Sequence, residues 1–278
     1  MGRAGRILRQ ILGAIGLAFC AAQAGAAEKP YEFGVFPYLP LAKIYDLYAA
    51  VASDFEAKLG RQVQLSSKSG YESFEAELRR QTYDIAFVQP FDYAEAHDKH
   101  GYLPLARRQE DLQGVILVRP ESPLKTIQDL KGRTLANPPA DAAVSHLTSM
   151  ALRDAGIDPQ TGVKRFYAKN HFACVQSVVI GAADACGTAE QPLLTLQREG
   201  QITTRFRILH KTARIPTALF VVHKRVAQKD REILLRTIVD WPNTVEGKEI
   251  IKAGRFMPFV PAKDSDYEVV RRYIRSRK

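Results

Sequence analysis

The stretch SPLKTIQDLKGRTLANPPADAAVSHL, residues 122–147, decides the fold class of this chain. It begins with a short helical pattern, continues through the apolar run GRTLA into a loop with two prolines, and enters a second helical pattern beyond Asp141. A strand that leads through a short loop into a helix is typical of α/β proteins. Such a helix start attracts anions, because its first N–H groups have no partner within the helix. Here, however, an acidic residue stands at that start.

The same alternation of strand and helix patterns extends outward in both directions. It predicts an α/β fold with two lobes, each a mostly parallel sheet flanked by helices. No Gly/Ser linker separates the lobes, so we expect two extended hinge strands, near residues 117–120 and 209–216. Lobe 1 is then residues 28–118 plus 214–278, and lobe 2 is residues 119–213. A ligand is expected between the lobes, at strand ends and helix starts.

The first 27 residues have the composition of a cleaved secretory signal peptide. Three arginines precede the apolar run ILGAIGLAFCAA, and small residues follow it. Removing residues 1–27 takes three arginines and no acid from a formal net charge of +10, so the mature chain carries +7. No later segment approaches the roughly 18 apolar residues of a membrane span. The sequence therefore predicts an exported protein whose charge favours anionic partners or a membrane surface.

Motifs for several other functions are missing from the sequence. There is no basic run with interleaved aromatic residues, so we expect no nucleic-acid partner. P-loop, GxGxxG and HExxH motifs are also missing, and we expect no cofactor and no catalysis. His171 and Cys174 form the only sequence-local pair of a base and a nucleophile, and no oxyanion loop accompanies them. The chain is therefore expected to bind its ligand without converting it.

Two cysteines, Cys174 and Cys186, remain after removal of the leader. In an exported protein such a pair can oxidise, and the short loop between them permits a disulfide without requiring it. Two small buried side chains are the alternative. The sequence leaves both open.

Seven motifs in order resemble the periplasmic phosphate-, phosphite- and phosphonate-binding proteins of ABC importers. They are FGVFPYLP, YDIAFVQPFDYAEA, GYLPLARR, SPLKTIQDLKGRTLA, LRDAGIDP, IGAADA and ARIPTALFVV, and they span residues 33–222. The resemblance implies a type II periplasmic binding protein, a monomer that closes two lobes over one small anionic ligand and presents it to an inner-membrane permease. A periplasmic sensor that feeds a membrane histidine kinase would share this fold, and the sequence does not separate the two roles.

The resemblance also assigns ligand-contacting positions. Tyr38, at a strand end, matches the family's first-lobe pocket tyrosine, and Tyr71 and Tyr93 have similar claims. A phenol donates a hydrogen bond to an anionic oxygen and packs against apolar groups, whereas a surface-turn aromatic is the alternative for Tyr38. His171, which opens a helical pattern, matches a phosphonate-contacting histidine and as an imidazolium would pair with an oxyanion.

Two departures from the family concern the predicted pocket. Where the family usually has GPFSY, this chain has QPFDY, so Gln89 adds an amide to the wall of lobe 1 and Asp92 is expected to cap the following helix. Asp141, Ala142 and Ala143 replace a Ser-Thr-Ser run whose hydroxyl groups clasp phosphonate oxygens in the family.

The carboxylate of Asp141 is the more serious departure. At about 4 Å it would repel a bound anion by roughly 4 kcal/mol at an effective dielectric constant near 20. Asp141 would avoid this by folding back as a cap on the N–H of Ala143 or Val144, which would plug the anion site. The segment IPTALF also lacks the acidic residue of the family's IP-x-D motif, which disfavours an aminoalkyl phosphonate.

Three ligand classes remain after these departures. The first is an oxyanion held by tyrosine, histidine and backbone groups, and the second is a neutral or cationic molecule paired with Asp141. The third is a metal ion or trivalent arsenic held by His171, Cys174 and Cys186, which a disulfide would exclude. The sequence favours the first class, a phosphonate-, phosphite- or phosphate-like solute with an atypical clasp; a sensor of an oxyanion or of arsenite is the alternative.

Overall fold

The computed structural model describes residues 28–198, 200 and 202–275, so the predicted signal peptide lies outside the described residues. The strands are β1 (Tyr31–Val35), β2 (Val63–Ser67), β3 (Ile85–Val88), β4 (Tyr102–Arg108), β5 (Asp111–Val118), β6 (Thr134–Asn137), β7 (Lys164–Tyr167), β8 (Ala185–Ala189), β9 (Arg207–Pro216), β10 (Leu219–His223) and β11 (Phe259–Pro261). The helices are α1 (Leu41–Leu59), α2 (Tyr71–Arg79), α3 (Pro90–His100), α4 (Ala143–Asp154), α5 (His171–Val179), α6 (Glu190–Arg198), α7 (Gln228–Asp240), α8 (Val245–Gly254) and α9 (Glu268–Arg275).

The described strands form two sheets. Sheet 1 has the order β11-β4-β10-β3-β1-β2, and sheet 2 has the order β7-β6-β8-β5-β9. β1 pairs in parallel with β2 and β3, and β6 pairs in parallel with β7 and β8. The predicted α/β fold with two helix-flanked sheets is confirmed, but both sheets are mixed rather than mostly parallel. The reason is that β5 and β10, which follow the two crossings between the sheets, run antiparallel to both of their neighbours.

The chain crosses from sheet 1 to sheet 2 between β4 and β5, and it returns between β9 and β10. Only two residues separate the strands at each crossing. β5 pairs with β8 and β9 along its length, so it belongs to sheet 2, although the sequence assigns residues up to 118 to lobe 1. Its apolar run VILV would suit the interior of either sheet, and composition therefore does not mark the crossing.

The helices α3, α4 and α5 differ in how their first N–H groups are satisfied. α3 begins with Pro90, whose missing N–H suits the first helical position. α5 is capped by the side chain of Asn170, which accepts the N–H of Ala173. α4 has no such cap, because its N-cap residue is Ala142. The first N–H groups of α4 therefore need partners from elsewhere.

The core of sheet 1 is built from interlocking aromatic rings. Phe87 and Phe220 have ring centroids 4.8 Å apart, and Trp241 stacks on Phe55. Leu147 and Met150 of α4 are buried in the same core, although α4 follows β6 of sheet 2. The start of α4 is therefore held close to sheet 1. In the part of the chain that the structure covers, no helix combines the length and the apolar character that crossing a membrane requires.

Candidate functional site

A cavity of about 340 Å³ lies between the two sheets. It is formed where β1 and β3 of sheet 1 and β8 of sheet 2 reach their carboxyl ends, together with the starts of α4 and α5 and the two crossings. Ligands of open α/β sheets bind at such strand ends. The lining residues are Phe36, Tyr38, Tyr71, Phe87, Gln89, Pro90, Arg108, Glu110, Asp111, Leu112, Gln113, Ala142, Ala143, Val144, His171, Ala189, Glu190, Arg214, Thr217 and Ala218.

Most of the predicted site residues meet at this cavity. Sheet 1 contributes the predicted side chains that follow its strands, and sheet 2 contributes the starts of α4 and α5. The predicted residues that line the cavity are Tyr38, Tyr71, Gln89, Ala142, Ala143 and His171. The cavity therefore joins positions that lie more than 130 residues apart in the sequence.

The two tyrosines differ in how their hydroxyl groups are used. The Tyr38 ring stacks on Phe36, and its hydroxyl lies 3.0 Å from the hydroxyl of Tyr48. The Tyr71 hydroxyl forms no hydrogen bond with any residue that the structure describes. Burial raises the pKa of Tyr71, with further contributions from the carboxylates of Asp92 and Asp141. Tyr71 is therefore a neutral phenol at neutral pH, with an O–H group free to donate to a ligand oxygen.

The carboxylates that line the cavity are each paired with a cation of the protein. Glu110 forms an ion pair with Arg108, and Asp111 lies 3.7 Å from the guanidinium of Arg107. Glu190 lies 3.3 Å from the ammonium group of Lys211.

Arg214 is the lining cation that lacks such a partner. Its guanidinium forms neither an ion pair nor a hydrogen bond with the described part of the chain. Since the lining carboxylates are neutralised and Arg214 is not, the unpaired charge at the cavity is positive. The arrangement therefore favours an anionic ligand.

His171 opens α5 and lies next to Thr188 of β8. Its Nδ1 atom is 2.7 Å from the Thr188 hydroxyl. Burial lowers the pKa of His171 to about 4, so the imidazole is neutral at neutral pH. The start of a helix disfavours the imidazolium for the same electrostatic reason. His171 is therefore suited to a neutral hydrogen bond with a ligand, and the imidazolium expected from the sequence is absent at neutral pH.

The pKa of His171 leads to a prediction about stability. Between about pH 6.5 and pH 4, the unfolded chain takes up a proton on this imidazole that the folded chain excludes, so acid should destabilise the fold. His171→Gln should remove this contribution, on the order of 1 kcal/mol at about pH 5. The measurement is urea unfolding of both proteins at about pH 8 and pH 5. An equal loss of stability in the two proteins would show that His171 titrates normally.

The loop before α4 is arranged differently from the expectation for Asp141. The Asp141 side chain is exposed and lines a different cavity, and it does not cap α4. Instead, the amide oxygen of Gln89 accepts the N–H of Ala143 at 2.9 Å. The amide nitrogen of Gln89 donates to the backbone carbonyl of Asp141 at 2.7 Å. The helix start is thus capped by the protein itself, but from sheet 1.

Tyr93 lies away from the cavity. It is buried against Tyr267, and its hydroxyl donates to Oδ1 of Asp264 at 2.8 Å. Pro90, at the start of α3, lines the cavity, whereas Tyr93 lies almost one turn further along this helix, where α3 packs against the segment that carries Asp264 and Tyr267.

A second cavity, of about 370 Å³, lies between α2, α3, α9 and the loop before α4. Glu75, Asp92 and Asp141 are among its lining residues. Asp92 is 8% exposed, and burial together with the Glu75 carboxylate raises its pKa well above the usual range. The arginine and lysine side chains that line this cavity each pair with a carboxylate, whereas Asp92 and Asp141 have no cationic partner among the described residues. This cavity therefore suits an anion less well than the first cavity does.

Cys174 and Cys186 form a disulfide that connects α5 to β8, with their Cα atoms 5.8 Å apart. Both residues are fully buried beneath the cavity wall. A disulfide leaves no thiolate to bind arsenic or a soft metal ion. Within the described residues, no group of three histidine, cysteine, aspartate or glutamate side chains is placed to hold a metal ion.

Several lining residues were not identified from the sequence. Arg108, Glu110 and Asp111 come from the first crossing, and Arg214 and Thr217 come from the second. The charged run ARRQED and the segment TARIPT were visible signals. These segments can be recognised as parts of a site only when the structure shows that both crossings border the same cavity.

A family model described as "ABC transporter, phosphonate, periplasmic substrate-binding protein" matches residues 33–267. No curated protein sequence matches the chain. Among solved structures, PhnD1 from Prochlorococcus marinus in complex with methylphosphonate is similar, with a TM-score of 0.79 and 16% identity over 89% of this chain and 98% of that one. A binding protein component of an ABC phosphonate transporter from Pseudomonas aeruginosa is also similar, with a TM-score of 0.74 and 16% identity over 88% of this chain and 86% of that one.

A protein from Xanthomonas citri bound to ATP is also similar, with a TM-score of 0.72 and 17% identity over 87% of this chain and 94% of that one. Identities this low show the shared fold alone, which is the type II periplasmic binding protein fold that the sequence predicts. The matched family consists of substrate-binding proteins and not of enzymes, in agreement with the expectation from the sequence.

Proposed function

Because this chain belongs to the family of periplasmic substrate-binding proteins of phosphonate ABC transporters, we propose that it captures a small phosphonate-class oxyanion in the cavity between its two sheets. The coarse role follows from the family: the chain is the periplasmic substrate-binding component of an ABC transporter. What we propose beyond this role is the chemical class of the ligand and the residues that bind it.

The observation that carries the proposal is the guanidinium of Arg214, which no described residue pairs with, at a cavity whose carboxylates all have partners. An anion placed there gains a charge-assisted hydrogen bond, worth about 1.5–3 kcal/mol. The hydroxyl of Tyr71 donates a second hydrogen bond, and the neutral imidazole of His171 offers a third polar contact. Phe36 and Ala189 line the wall beside a small apolar substituent such as a methyl group.

We further propose that the parts around sheets 1 and 2 act as two lobes that close over the ligand, with the crossings β4–β5 and β9–β10 as hinges. Tyr71 and Arg108 lie on one side of the cavity, and His171 and Arg214 lie on the other. A ligand that touches both sides binds the closed form more tightly than the open form, so it shifts the population towards closure. The permease is then presented with the closed, loaded protein.

A thermal-shift screen tests the proposed ligand class. We expect methylphosphonate, phosphite or phosphate to raise the melting temperature, because a ligand that binds only the folded protein stabilises it. Arsenite and small cations, tested with and without reductant, should have no effect. A shift with cations alone would contradict the oxyanion assignment.

A gene deletion separates transport from sensing. Loss of phosphonate uptake in the deletion strain would support transport, whereas intact uptake would support a sensor that acts on a membrane kinase.

A triple substitution tests the role of the altered loop. Asp141→Ser, Ala142→Thr and Ala143→Ser together restore hydroxyl groups at the start of α4 and remove one carboxylate near the cleft. We expect the affinity for methylphosphonate to rise about tenfold, corresponding to one additional hydrogen bond to a charged group. The affinities are compared by calorimetric titration. An unchanged affinity would mean that this loop does not contact the ligand.

A further inference from the structure

Gln89 joins the two sheets through its side-chain amide. The residue follows β3 of sheet 1, is 3% exposed, and reaches the loop that leads from β6 into α4. Besides its two contacts with the backbone of that loop, its nitrogen donates to Oδ1 of Asp92 at 2.9 Å. Both amide N–H groups and the amide oxygen of Gln89 therefore have partners, and we call this arrangement the Gln89 bridge.

The amide oxygen of Gln89 occupies the position that a ligand oxygen would need at this helix start. It lies 2.9 Å from the nitrogen of Ala143, the first residue of α4, and α4 has no cap from its own side chains. A serine or aspartate at the N-cap, position 142, would accept the second or third N–H of the helix and would leave this first N–H without a partner. A ligand oxygen that took the Ala143 N–H would have to displace a buried amide, and each unpaired group so created costs about 1–3 kcal/mol.

Apolar contacts flank the Gln89 bridge and, although it borders the cavity, shield most of it from water. Tyr71 and Leu112 pack against a cluster formed by Ala142, Val144 and Ala189. The ring of Phe91, on α3, lies 4.6 Å from the ring of His146, on α4. Hydrogen bonds in such a dry environment are stronger than the same bonds in water. The bridge is made of protein atoms alone, so its formation requires no solute.

We propose that Gln89 is a specificity-determining residue, which stands in for a ligand oxygen at the start of α4 and holds that helix against sheet 1. The effect on ligand choice rests on the proposed function, whereas the bridge rests on the contacts of Gln89 alone. In this arrangement a tetrahedral oxyanion competes with the Gln89 amide for the Ala143 N–H. Its apparent affinity is lowered by the fraction of molecules in which the bridge is closed.

Two substitutions separate the hydrogen bonds of Gln89 from its volume. Gln89→Met keeps a side chain of similar size without hydrogen bonds, and Gln89→Ala also removes the volume. The matched control is Gln64→Ala, at an exposed position on β2. Amide hydrogen exchange of Ala143, followed by NMR without added solute, measures the bridge. Calorimetric titration with methylphosphonate measures the effect on binding.

We expect the Ala143 amide to exchange at least about tenfold faster in both Gln89 variants and at the wild-type rate in Gln64→Ala. Gln89→Ala should bind methylphosphonate about tenfold more tightly than the wild-type protein, whereas Gln89→Met, which still fills the space, should not. Unchanged exchange of Ala143 would overturn the proposal, and so would unchanged or weaker binding of methylphosphonate by Gln89→Ala. If none of the proteins binds methylphosphonate but exchange is faster, the bridge stands and the proposed function fails.

Discussion

Replacing both Cys174 and Cys186 by alanine is expected to lower the free energy of unfolding by about 3 kcal/mol, which corresponds to a melting temperature about 6–12 °C lower. The two cysteines are 12 residues apart, and their bond restricts the unfolded chain over that loop. Both side chains are fully buried, so the substitution also removes packed sulfur atoms from the interior. Thermal unfolding followed by circular dichroism measures the effect.

The reductant provides the control for the disulfide prediction. Wild-type protein unfolded and refolded with a strong thiol should lose most of the same stability, whereas the double variant should not respond to the thiol. The disulfide also anchors α5, which carries His171 at its start. We therefore expect methylphosphonate to bind severalfold more weakly to the double variant. A wild-type melting temperature in the double variant would show that the bond contributes nothing to the fold.

Reversing the charge of Arg214 should produce the largest loss of binding. We expect Arg214→Glu to weaken methylphosphonate binding about a hundredfold and Arg214→Ala about tenfold. The alanine variant loses a charge-assisted hydrogen bond, and the glutamate variant adds repulsion between two anionic groups. Arg133→Ala, at an exposed position before β6, is the matched control and should bind as the wild type does.

Salt dependence sharpens the Arg214 prediction. Arg214 is exposed to solvent, so mobile ions screen its attraction for the ligand. The difference in methylphosphonate affinity between the wild-type protein and Arg214→Glu should therefore become smaller when the salt concentration rises from about 0.02 M to about 0.15 M. Calorimetric titrations at both salt concentrations measure it. Equal affinities of the two proteins at low salt would show that the ligand does not lie beside Arg214.

The sequence predicts the general position of the site because chain order and strand ends are local features. Tyr38 follows β1, Tyr71 begins the helix after β2, and His171 begins the helix after β7. The carboxyl ends of parallel strands lie at one edge of each sheet, and ligands of two-lobed α/β proteins bind where these edges face each other, so these side chains are brought together once the fold class is known. The antiparallel strands β5 and β10 do not change this prediction, because the predicted side chains follow parallel strands.

Other features depend on contacts that no local pattern shows. Tyr93 bonds to Asp264, 171 positions later in the sequence, and no local pattern reveals that contact. The contact between Gln89 and Ala143 joins residues 54 positions apart. The position of Asp141 in the sequence predicts a cap on α4, but in the structure the amide oxygen of Gln89 accepts the N–H of Ala143 instead.

Charge pairing is likewise a property of the folded chain. Counting residues gives the net charge, but only the structure shows that Glu110, Asp111 and Glu190 each have a cationic partner. Arg214, by contrast, has no carboxylate partner among the described residues. The proposed anionic ligand is therefore argued from the charges that remain unpaired at one cavity, and not from the positive charge of the chain as a whole.

A crystal structure of the protein grown with methylphosphonate tests the central claim most directly. We predict that the phosphorus atom lies in the cavity between the two sheets, with a phosphonate oxygen within hydrogen-bond distance of the Arg214 guanidinium. Methylphosphonate in the cavity beside Asp92, or on the outer surface with the inter-sheet cavity containing only water, would contradict it.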